Sequence, residues 1–186
     1  MSIVIAYLAE RFPLAVFAPA FLLIVGAVTW SMDTVTNGAI ARTSLLALVL
    51  VVQFRLWDDM EDADRDRVTH PERTLVRSPA RPFRVLHVAL LIAAGAVCAT
   101  RPPAFIAFIS LEAGFWLAYR HLRQHIADDA WRFGAVLMKY PGLMVVLSLA
   151  AGAVIPLRLA LAATAAYICA SAYELWHTRT TLGVSR

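Results

Sequence analysis

The chain has 186 residues, of which 60% are hydrophobic and only 16% charged, and its mean hydropathy is +0.67. One soluble core cannot hide that much apolar surface and strand-like alternation is absent, so the solvent for most of the chain is lipid and a β-barrel is not expected. The net charge of +4 does not point to nucleic acid, because the basic residues are distributed as a membrane protein distributes them.

In chain order, the opening segment Met1–Pro13 has no basic leader and no small-residue cleavage site. It reads as a mature N-terminus entering a first span. Apolar stretches of about 18–22 residues follow, the length a helix needs to cross ~30 Å of hydrocarbon. They predict six membrane-crossing helices at roughly 12–30, 39–57, 83–100, 103–122, 133–154 and 156–176. The expected fold is therefore all-α, a polytopic membrane helical bundle forming a single membrane domain over 1–186. Cys98 and Cys169 both fall inside predicted spans, where packing is their expected use. With the N-terminus in the cytoplasm, Arg11, the series Arg55 to Arg84, the group Arg120, Arg123, Arg132 and Lys139, and finally Arg179 and Arg186 all lie inside. Only Arg42, Arg101 and Arg158 lie outside. This asymmetry predicts a multi-pass inner-membrane protein with both termini cytoplasmic.

The predicted outer connections are short, whereas two inner connections, 58–82 and 123–132, are long and polar. Function is therefore expected on the inner side. The second span runs into Asp58-Asp59-Met60-Glu61-Asp62-Ala63-Asp64-Arg65-Asp66, which holds six of the chain's thirteen acids. On a helix continued past the membrane, a turn of ~100° per residue puts Asp59, Asp62 and Asp66 within an arc of about 60°, with Asp58 on its flank. Stacked carboxylates repel one another unless a cation sits between them. Hard oxygen ligands in incomplete number suit Mg²⁺ that takes its remaining oxygens from a phosphate. The arginines from Arg65 to Arg84, Arg65 and Arg73 among them, can neutralise a diphosphate. The alternative is a solvated helix end with Asp paired to Arg.

The run Asp58-Asp59-Met60-Glu61-Asp62 to Asp66 resembles the first Asp-rich motif of the UbiA-type intramembrane prenyltransferases, N/D-D-x-x-D-x-x-x-D, and stands like that motif after the second span. Thr69-His70-Pro71-Glu72-Arg73 is similar to the segment that follows the motif, and Met138-Lys139-Tyr140-Pro141 to the Lys-containing segment opening the fifth helix. The resemblance covers helices one to six. It implies that Asp58, Asp59, Asp62 and Asp66 hold Mg²⁺ and that Arg73 and Lys139 contact an isoprenoid diphosphate. The family's second motif, D-x-x-x-D after helix six, has no counterpart here: the sixth span ends Ala172-Tyr173-Glu174-Leu175-Trp176-His177. Glu174 and His177, at i,i+3, are the candidate metal ligands in its place, or else surface polar groups.

The remaining candidates come from single residues. Glu112 falls near the middle of span four, where an ionisable group is expensive unless it lines a cavity as a catalytic or hydrogen-bonding acid, or bonds a neighbouring helix in its protonated form. Phe115, Trp116 and Tyr119 suit an allylic cation or serve as interface anchors, with Tyr119 the substrate contact. His121 and His125, with Asp128 and Asp129, form either a metal pair or a polar connection lying on the membrane lipid. His70 caps a turn and His87 packs in span three. Together these features predict a Mg²⁺-dependent intramembrane enzyme acting on an isoprenoid diphosphate by prenyl transfer or terpene cyclisation. The alternatives are a non-catalytic relative that binds a lipid diphosphate or supports a partner membrane protein, and a homo-oligomer that completes its cavity across an interface.

Overall fold

The structure is a computed structural model, and it describes the backbone of residues 2–122, 137–152 and 154–183 and the side chains of 2–120, 137–152 and 154–172. Among these residues every regular element is helical: α1 (Ile3–Arg11), α2 (Leu14–Ser31), α3 (Asn37–Glu61), α4 (Ala63–Thr69), α5 (Thr74–Arg77), α6 (Ala80–Ala99), α7 (Pro102–Leu117), α8 (Lys139–Ala151) and α9 (Pro156–Gly183). A single π-helical turn, Ala118–Leu122, extends α7.

Local chemistry explains most boundaries. Ser2 caps α1 through the Ile5 amide, and Pro13 separates α1 from α2 because its fixed φ and missing N–H suit the start of a helix. Thr36 caps α3 through the Ala39 amide at 3.1 Å. Pro102 and Pro103 open α7 in its first turn. α8 stops at Gly152, whose φ of +153° and ψ of −144° lie in a region open only to glycine. The chain then pairs briefly with the end of α2, Ile155 donating from its amide to the Ser31 carbonyl at 2.8 Å.

Among the described residues four helices, over Leu14–Ser31, Asn37–Glu61, Ala80–Ala99 and Pro102–Arg120, are long and apolar enough to cross a membrane. Among the described residues, the fifth and sixth predicted spans overlap the apolar stretches Lys139–Ala151 and Pro156–Ala172, the second being the first part of α9. α8 is the axis of the bundle, packed on α2, α3, α6, α7 and α9, and Leu143, Met144, Val146, Leu147, Ser148, Ala150 and Ala151 are all buried. Lipid gives apolar helices little reason to leave it, so the association rests on close packing and interhelical hydrogen bonds. Leu46, Ala47 and Leu50 of α3 are 0% exposed beside Leu147, and Gly142 sits so near Leu111 that an added Cβ would fall 2.3 Å from its Cδ1. Ser31 and Ser148 share a hydrogen bond at 3.2 Å inside the bundle.

Arg42, Arg101 and Arg158 gather around the α8–α9 turn. Arg42 reaches the Ala150 carbonyl at 3.4 Å, the Arg101 guanidinium lies beside Gly152, and Arg158 reaches the Trp30 carbonyl at 3.4 Å while covering its ring. Guanidinium groups at the carboxyl end of a helix satisfy carbonyls that have no intrahelical partner. At the opposite, acidic end, α1 lies across the ends of α5 and α6. Tyr7, Leu56 and Phe83 make a second small core there, with Leu8, Phe12 and Leu75 around it.

Candidate functional site

The acidic run does not form one continuous carboxylate face. α3 ends at Glu61, Asp62 is the junction (φ −87°, ψ −3°), and α4 starts at Ala63. The side chains then separate. Asp59 turns towards α1, accepting from Tyr7 Oη at 2.8 Å and from Arg11 Nε and Nη2 at 2.8 and 2.5 Å. Arg55 Nε stands a further 3.7 Å from Asp59. Asp66 is buried against Arg73. Asp58, one residue before Asp59 and so about 100° around the helix, faces the other way. Its two carboxylate oxygens accept from the Tyr119 hydroxyl and the Lys139 ammonium. Asp62 is half-buried, Asp64 pairs with Arg67, and Arg65 is exposed.

Charge explains this arrangement. Two adjacent aspartates at the edge of an apolar bundle need compensating cations, and helix geometry presents them to different neighbours. α1 supplies one cation through Tyr7 and Arg11, which at i,i+4 share a face. α8 supplies the other from its first residue. Burial first, and then the Asp59 carboxylate, push the Tyr7 phenol up from its ordinary value, so it stays a hydrogen-bond donor. The Arg11 guanidinium is held above its usual value by its hydrogen bonds to Asp59, against an opposing desolvation that is individually the largest effect. Glu10 ties the same helix to the basic connection by accepting from the Thr74 amide at 3.0 Å and from the Thr74 hydroxyl.

Beside Asp58 an aromatic cluster joins α3 to α7. Phe54 and Phe115 meet edge to face with centroids 5.3 Å apart, Trp57 lies 5.7 Å from Tyr119, and Phe115 lies 6.0 Å from Tyr119. An open cleft of about 320 Å³ is lined by Trp57, Glu61, Trp116, Tyr119 and Arg120. The Trp57 indole donates to Glu61 at 3.3 Å, and the Arg120 guanidinium sits 5.1 Å over the Trp116 ring. His87, expected to pack, does so at 5.4 Å from Trp57.

Of the residues singled out in the sequence, Asp58, Tyr119 and Lys139 are brought into direct contact, and Asp66 meets Arg73. Asp59 joins neither pair. Glu112 lies deeper, bonded to Gln53 of α3 at 3.1 Å. The side chains of Glu174, His177, His121, His125, Asp128 and Asp129 lie outside the described residues. Among the described residues no three of His, Cys, Asp and Glu form a group able to hold a metal ion. Asp58, Asp59 and Asp66 each have a basic side chain of the protein as partner. Sequence reasoning missed Tyr7, Arg11 and Gln53. Tyr7 and Arg11 carry only an i,i+4 spacing in an amphipathic lead-in, whereas Gln53 had a readable signal as a lone amide inside an apolar span.

The fold and site are thus those of an all-helical protein with apolar helices suited to a membrane and a charged, aromatic-lined cleft at one end. No family model matches the chain, and neither a curated protein nor a solved structure does.

Proposed function

We propose that the protein receives an isoprenoid diphosphate at its acidic end, and that this end faces the cytoplasm together with both termini. The observation that carries the reading is the Asp58 carboxylate held between Lys139 and Tyr119, the latter a lining residue of the Trp57–Trp116 cleft. The Lys139 ammonium is 8% exposed as a residue and is already balanced by Asp58, so it is prepaid for a buried anion. An incoming diphosphate competes with Asp58 for Lys139, and Arg120 in the cleft lining adds a second cation. The aromatic faces give an isoprenoid chain an apolar seat and would stabilise an allylic cation if the diphosphate departs. Prenyl transfer or cyclisation is the chemistry expected of such a site.

A second reading, binding without bond cleavage, is favoured by one specific observation: Asp58, Asp59 and Asp66 each face a basic side chain of the protein itself. Purified protein in lipid nanodiscs, given labelled geranylgeranyl diphosphate with and without Mg²⁺, separates the two readings. Release of inorganic diphosphate supports the enzyme. Saturable binding without release, weakened at least tenfold by Lys139→Met, supports the binder. Absence of binding under both conditions rejects the site.

A further inference from the structure

Gln53 and Glu112 make the one side-chain hydrogen bond that joins α3 to α7 deep in the described bundle, from Gln53 Nε2 to Glu112 Oε2 at 3.1 Å. The two remaining oxygens of the pair, Gln53 Oε1 and Glu112 Oε1, are both buried and have no hydrogen-bond partner. Gln53 is 0% and Glu112 9% exposed. The surroundings offer no rescue, because Leu50, Phe54, Phe108, Phe115, Leu143 and Leu147 belong to the same apolar core. No lysine, arginine or histidine is bonded to Glu112 among the described residues.

Donor counting decides what this contact needs. An ionised carboxylate only accepts, and an amide offers one acceptor oxygen and one NH₂ group. With Glu112 ionised, its two oxygens share that NH₂, the Gln53 oxygen is left with no donor, and an unpaired charge sits in the apolar interior, the most expensive arrangement available in a membrane. One proton corrects both faults. Placed on Glu112 Oε1, it turns that oxygen into a donor for Gln53 Oε1, closes a two-bond acid–amide ring and removes the charge.

We propose that Gln53 and Glu112 form an intramembrane proton-binding site, with the proton carried on Glu112 Oε1 and donated to Gln53 Oε1. The site is separate from the proposed diphosphate cleft. Glu112 stands seven residues before Tyr119, and Gln53 five residues before Asp58, offsets of about 10 and 8 Å along their helices, with Phe54, Trp57 and Phe115 between. It stores a proton beneath the aromatic cluster and locks α3 to α7 as a neutral pair.

Infrared difference spectroscopy on protein carrying ¹³C-labelled glutamate, reconstituted in liposomes at neutral pH, tests this without any activity assay. The expected spectrum has a carboxylic-acid C=O band that is sensitive to D₂O. Glu112→Gln abolishes the band yet keeps the fold, because two amides can close the same ring. Gln53→Leu retains the band but moves it to the higher frequency of an acid without a strong acceptor. Three results would overturn the proposal: a purely carboxylate signature in the wild type, as expected if bound water fills the gap instead; an acid band that survives Glu112→Gln; or an acid band that Gln53→Leu leaves in place.

Discussion

Replacing Arg11 by Met removes the cation that holds Asp59 while keeping most of the apolar stem. Asp59 is 6% exposed and receives two of its short hydrogen bonds from Arg11, at 2.8 and 2.5 Å. Breaking a fully buried ion pair from one side costs about 3–5 kcal/mol. Two features reduce that here: the Tyr7 hydroxyl stays in place at 2.8 Å, and Arg55 can close its 3.7 Å gap. The expected loss is about 2–3 kcal/mol, in line with charge-assisted hydrogen bonds. Asp59→Asn alone should cost a similar amount by leaving Arg11 uncompensated, whereas the double variant Arg11→Met/Asp59→Asn should lose less than the sum. Equilibrium unfolding in mixed detergent micelles, followed by circular dichroism, gives the four corners of the cycle. A coupling below about 0.5 kcal/mol would show that the contact contributes nothing specific, and the seating of α1 on α3 would then rest on the apolar cluster of Tyr7, Leu56 and Phe83 alone.

Other substitutions probe the packing and the placement of the helices. Gly142→Ala should destabilise by about 1–3 kcal/mol through overpacking against Leu111, and Leu111→Ala in the same chain should restore part of the loss; equal stability of Gly142→Ala and wild type in thermal unfolding contradicts the close α7–α8 approach. At Gly152, any side chain meets the φ of +153°, so Gly152→Ala should cost at least about 1 kcal/mol, read in the same melts. Cys98 is buried and Cys169 exposed, so a membrane-permeant thiol reagent should modify Cys169 first, and mass spectrometry of the labelled peptides shows the order. For the proposed orientation, reporter fusions at the C-terminus and within the 31–38 connection should report cytoplasmic and non-cytoplasmic locations respectively.

The helical, membrane-suited character of the chain is legible in its residues alone, because apolar run length and charge placement act locally and need no knowledge of neighbours. Residue chemistry along the chain also located the charged end and picked out Asp58 and Tyr119, while Lys139 was picked out by the resemblance of residues 138–141 to a known segment. Their meeting was decided by tertiary structure: residues 58, 119 and 139 sit on three elements whose azimuths depend on how α3, α7 and α8 pack. The same holds for the acids. Helical periodicity groups Asp59, Asp62 and Asp66, but the interruption at Asp62 and the pull of Arg11 and Arg73 from other elements send the carboxylates apart. The end of α8 is likewise set by Gly152 and by the arginines from other elements that gather there. Residue chemistry is written along the chain, whereas which charges neutralise which is a property of packing, since Coulomb attraction and desolvation depend on distances that only the folded bundle fixes.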